Sequence, residues 1–83
     1  MRLELKCLHD TMLVLTDTRF FVYEDSHISA ACMPYEVKAL RLTHAKPKEV
    51  AEISFTIKAM DFRVVSKDLE LALRINDELN FLL

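Results

Sequence analysis

The sequence predicts a mainly β domain: a small antiparallel sheet or barrel of about five to six strands with a C-terminal helix. Three observations carry that expectation. Apolar and polar residues alternate with a period of two through most of the first three quarters of the chain, as half-buried strands require. Short turn-forming groups interrupt the alternation at His9-Asp10-Thr11, Asp17-Thr18 and Asp25-Ser26. A broad helical stripe replaces it only after Ser66. With 83 residues the chain holds one domain. A core of that size contributes only about 3–5 kcal/mol, so self-association or another staple is expected.

The elements follow in order. Leu3, Leu5 and Cys7 share one face of a first strand whose other face carries Glu4 and Lys6. Met12 to Thr16 is a short apolar strand, and Arg19 to Glu24, rich in aromatic and β-branched residues, pairs with it as a hairpin. Ile28 to Met33 forms the next strand, which Pro34 stops because proline cannot donate to a ladder. Val37 to His44 is another strand, and Lys46-Pro47-Lys48 breaks it. From Val50 onward, Ile53, Phe55, Ile57 and Ala59 alternate with Ser54, Thr56 and Lys58. The apolar phase then passes to Met60, Phe62 and Val64, which places a bulge or turn near Ala59–Asp61.

Residues 67–82 fit either a strand or a helix, and about 15 residues exceed a usual strand, so length decides for a helix. Ser66 is its expected N-cap, with Asp68 and Glu70 in the first turn where the helix dipole favours negative charge. The single domain, 1–83, thus divides into an added N-terminal strand over 1–11, a β core over 12–59 and a C-terminal extension over 60–83, helical from about 67.

Composition narrows the function. Apolar residues make up 52% and charged residues 29%, with a net charge of -2, which gives no general polyanion binder. Glycine is absent, where average usage of about 7% would supply roughly six. Phosphate-cradling loops, dinucleotide fingerprints and nucleophile elbows all need glycine and are excluded. Cys7, His9, His27, Cys32 and His44 lack the tight spacing of structural zinc sites, so no metal or other cofactor is expected. Asp17, Glu24, Asp25 and Glu36 scatter over turns and strand ends, and no catalytic constellation or small-molecule substrate emerges. Alternating charge in residues 1–6 leaves no signal-peptide core, and no apolar window is long enough for a membrane span. The two cysteines are therefore expected as reduced thiols in a cytoplasmic protein.

Met12-Leu13-Val14-Leu15-Thr16 resembles the opening of the CsrA/RsmA family of small translational regulators. Phe21 to Asp25, Ile28 to Met33, Leu40-Arg41-Leu42 and Pro47-Lys48-Glu49-Val50 follow at compatible spacing, covering about residues 12–53. The resemblance implies a five-stranded domain interleaved with a second copy as an intertwined homodimer, binding GGA-containing RNA loops along paired strand edges. Leu15 matches an apolar contact position of the family. Asp17 and Ser54 stand where the family has arginines, Glu52 replaces a valine, and Pro34-Tyr35-Glu36 replaces a glycine-bearing loop.

Two functions are thus expected in different classes. One is a CsrA/RsmA-like dimeric RNA-binding regulator in which Leu15 keeps the family's apolar contact and Arg19, Arg41, Lys46 and Lys48 form a rebuilt surface. The alternative is a small acidic protein-binding module without RNA affinity (an adaptor, inhibitor or decoy), which uses its sheet edges and the strand bearing Phe20, Phe21 and Tyr23.

Overall fold

The computed structural model describes residues 1–45 and 50–82. Among these residues, seven strands, a single turn of 3-10 helix and one α-helix run in the order β1 (Arg2–Cys7), β2 (Thr11–Thr16), β3 (Phe20–Glu24), β4 (His27–Cys32), the 3-10 turn Pro34–Glu36, β5 (Val37–Ala45), β6 (Val50–Ile57), β7 (Met60–Ser66) and α1 (Leu69–Leu82). The protein is mainly β with a C-terminal helix. The described residues form one strand more than the largest number expected, because residues 60–66 pair with β6 and so extend the sheet rather than leaving it.

Two antiparallel meanders form, β1-β2-β3-β4 and β5-β6-β7. They meet at a corner where Leu8 N–H donates to Val65 O at 2.8 Å and Ser66 Oγ donates to Lys6 O at 2.8 Å. β2 and β6 lie inside their sheets, with both edges occupied by strands of the same chain.

Helix α1 closes the space between the sheets, packing on β1, β5, β6 and the 3-10 turn. Ala72, Ile75 and Leu79, spaced to share one helix face, enter a core built from Leu5, Leu13, Leu15, Phe20, Val22, Val37, Ile53, Phe55 and Ile57. Phe20 meets Phe55 edge to face at 5.3 Å, and Phe55 stacks on Phe62 at 5.4 Å. The radius of gyration is 11.6 Å, against about 11.8 Å for a compact domain of this length. One chain thus closes its own core.

The helix starts differently from the sequence expectation. Asp68 is the cap: its Oδ1 accepts from Leu71 N–H at 3.1 Å. Ser66 ends β7, is buried, and accepts from Asp68 N–H at 3.1 Å while its own hydroxyl is drawn to β1. The need to satisfy the strand corner moves the cap two residues on.

Turns without glycine strain the backbone. His9, Asp10, Asp25, Ser26, Ala39, Lys58 and Ala59 all adopt positive φ. Asp25-Ser26 and Lys58-Ala59 are two-residue hairpin turns with positive φ at both positions, the geometry that matches strand twist. The phase change seen in the sequence is therefore a turn, with Ala59 in it and β6 ending at Ile57. Ala39 (φ 53°) is an extra residue in β5 where the register shifts between Lys38 and Arg41. Hairpin geometry imposes left-handed backbone on Lys58 and Ala59 as well as on Asp25 and Ser26. Ala59→Gly relieves its Cβ clash and is expected to stabilise the fold by about 1 kcal/mol. A higher urea midpoint with an unchanged slope checks this.

Candidate functional site

Strand parity sorts the aromatic strand. Leu13, Leu15, Phe20 and Val22 point into the core, so Met12, Val14, Phe21 and Tyr23 point to the outer face of the four-stranded sheet. The register aligns them in two rows, Glu4–Val14–Phe21–Ala31 and Lys6–Met12–Tyr23–Ile28. Ile28 reaches the outer face because the ladder skips Ser29, passing from Val22–Ala30 to Tyr23–Ile28.

The rings of Phe21 and Tyr23 lie 6.2 Å apart, tilted by 45°. Val14 is 0% exposed although it faces outward and lies outside the main core cluster. This face thus has a dry floor of its own, whereas the solvated side of an antiparallel sheet usually alternates to polar residues. Arg2 Nε and Glu4 Oε2 form an ion pair at 2.8 Å along one margin, beside Lys6. At one end an open cleft of about 440 Å³ is lined by Lys6, Met12 and Tyr23 from the sheet and by Asp10 and Ser26 from two hairpin tips. Asp25 N–H donates to Asp10 O at 3.0 Å and ties those tips together.

The three-stranded sheet presents a different outer face. Arg41–Ser54–Arg63 and Lys38–Thr56–Asp61 form adjacent rows. Arg63 Nε pairs with Glu52 Oε1 at 2.9 Å, and Thr56 Oγ1 donates to Asp61 Oδ1 at 2.6 Å. This face is polar throughout these rows.

The residues singled out from the sequence separate accordingly. Leu15 and Phe20 are fully buried in the core, which corrects their assignment to a binding surface. Leu15 shares the inward parity of Leu13, and Phe20 is the ring that Phe55 requires. Arg19 is exposed in the β2–β3 turn, with Nη1 donating to Thr18 O at 3.0 Å. Arg41 is exposed on the other sheet, so these two arginines are not brought to one face. Lys46 and Lys48 lie outside the described residues. Phe21 and Tyr23 share the outer face. Sequence reasoning missed Met12, Val14, Ile28 and Ala31. The opposite parity of Leu13 and Leu15 signals the first two, Ala31 joins through its register with Phe21, and Ile28 depends on a bulge that carries no glycine mark.

Both cysteines are free thiols, Cys7 partly buried and Cys32 buried. Burial pushes the Cys7 thiol up to about 11 and raises Cys32 as well, so neither is poised as a nucleophile. His9 sits in the turn that follows β1. Among the described residues no group of three or more His, Cys, Asp or Glu side chains converges on a metal-sized site. Alkylation of Cys7 by iodoacetamide is expected to accelerate up to about pH 11 rather than level off near the ordinary thiol value of 9. The folded chain holds this proton more tightly than the unfolded one. Its contribution to stability is therefore intact below about pH 9 and lost as pH rises through about 11. Mass-spectrometric labelling rates and urea midpoints across that range check both statements.

No family model, curated protein or solved structure matches the chain. Among the described residues no helix is long and apolar enough to cross a membrane.

Proposed function

We propose that this chain is a small cytoplasmic protein-interaction module that seats a partner polypeptide on the outer face of its four-stranded sheet, with Phe21 and Tyr23 as the central contacts. The observation that carries this reading is Val14, outward-facing yet wholly shielded, flanked by Phe21 across the ladder and Met12 along the strand. Aromatic and methionine side chains inside a charged margin are the composition of interface centres. The net charge of -2 leaves burial rather than long-range attraction as the source of affinity. The module binds and performs no catalysis.

A photo-crosslinking residue at position 23, compared with one at position 56 on the other sheet, tests this. The reading expects a polypeptide adduct from position 23 that Phe21→Ala removes, and none from position 56. Equal adducts from both positions, or none from 23, contradict it.

The row Arg41–Ser54–Arg63 favours a second reading, an RNA-binding regulator of the CsrA/RsmA kind acting as a homodimer. Ser54 stands where that resemblance expects an RNA-contacting arginine, and guanidinium groups on both neighbouring strands flank it, with Lys38 on the same face. This reading expects salt-sensitive binding of a GGA-containing hairpin that Arg41→Ala weakens. Flat anisotropy to high micromolar protein eliminates it. The protein-binding reading has the stronger support: β2 and β6 already take both neighbours from their own chain, leaving neither strand with an edge to exchange.

A further inference from the structure

β1 and β7, end strands of the two sheets, are tied at the corner by the Leu8–Val65 hydrogen bond, and β4 and β5 are the end strands on the far sides of the sheets. An outer edge presents every second backbone N–H and C=O without a ladder partner. Among the described residues, the backbone of β4 (His27–Cys32) bonds only to β3.

The two edges are defended differently. β5 carries Lys38 and Arg41 and is distorted by the left-handed Ala39 between them. Both edges carry a bulge, at Ala39 in β5 and at Ser29 in β4, but only β5 adds charge, the usual protection against edge pairing. β4 reads His-Ile-Ser-Ala-Ala-Cys, with no Lys, Arg, Asp, Glu or Pro. Its first three residues and Ala31 are exposed, with Ile28 at 56%.

We propose that two copies of this chain pair antiparallel along β4, joining four strands from each copy into one sheet of eight. Charge selects this occupant and this edge. A second β4 brings no like charge against the first, whereas two β5 edges would set Lys38 and Arg41 of one copy against those of the other. Continuity argues the same way. The rows Val14–Phe21–Ala31 and Met12–Tyr23–Ile28 both end at β4, so pairing there carries the apolar outer face unbroken from one copy to the next and covers Ile28. A two-fold axis near the middle of β4 makes the contact isologous and closed, so it stops at a dimer. This goes beyond the proposed docking function, which needs only one copy.

Ser29 offers the test, because it lies mid-strand, exposed, and outside both apolar rows. Wild-type protein is expected to show twice the 9.7 kDa chain mass by light scattering at about 100 µM. Ser29→Lys and Ser29→Glu are each expected to run as single chains, since like charges then face one another across the axis. An equimolar mixture of the two is expected to recover the doubled mass, an outcome that a merely unfolded variant cannot give. A wild-type mass of one chain, variants that stay dimeric, or a mixture that stays monomeric would each overturn the proposal. The crosslink from position 23 to a foreign polypeptide persists in monomeric Ser29→Lys, so failure of self-pairing and failure of the docking function are told apart.

Discussion

Phe20→Ala is expected to leave most of the protein unfolded at 25 °C. The ring is fully buried and sits edge to face against Phe55, which in turn stacks on Phe62, so its removal opens a cavity between the two sheets. Truncating a buried phenylalanine costs about 3–5 kcal/mol, as much as the whole core of so small a domain contributes. Loss of the strand signal in circular dichroism, or a urea midpoint shifted close to zero, is the expected result. A shift worth less than about 1 kcal/mol would mean that the two sheets do not pack through this ring.

The neighbouring residue is expected to behave in the opposite way. Phe21→Ala combined with Tyr23→Ala strips the outer face of its rings while every core contact of β3 remains. The fold is expected to survive with a loss of about 1 kcal/mol, the scale of change that partly exposed positions bring. Partner binding is expected to fall by about 30-fold or more, the effect of losing central aromatic contacts worth about 2 kcal/mol. Urea denaturation and the adduct yield from a crosslinker at position 12 read the two effects separately. Equal damage to stability and binding would return Phe21 and Tyr23 to the core.

The contrast between Phe20 and Phe21 also marks what was legible in the sequence. Alternation gave the strands of the first meander, the turns after Thr16 and Glu24, the proline stop at Pro34 and the phase change near Ala59. Those features follow from local rules, a period of two and residues that cannot continue a ladder. Which ring of Phe20, Phe21 and Tyr23 faces inward is not local. It depends on Leu13 and Leu15 sharing parity with Phe20 across the hairpin, and on Phe55, thirty-five residues further on, supplying the surface that Phe20 meets.

Bulges were hidden for a different reason. Ser29 and Ala39 interrupt their ladders without the glycine that ordinarily flags such positions, because the chain has none. Length marks the helix in the sequence, but its cap is not marked there. Ser66 is the better capping residue in isolation, and only the corner with β1 engages its hydroxyl elsewhere. The docking face was legible as an aromatic strand but not as a surface, since Val14, Met12 and Ala31 join it through register alone.

Water reaches the rings of Phe21 and Tyr23 on the apolar outer face and does not reach those of Phe20 and Phe55 in the core. Relaxation of the aromatic protons by a soluble paramagnetic agent measures that directly in the free protein. Strong enhancement at the Phe21 and Tyr23 rings with little at Phe20 and Phe55 is the result expected. Uniform protection of all four rings would contradict it, because the face would then already be covered and could seat no partner.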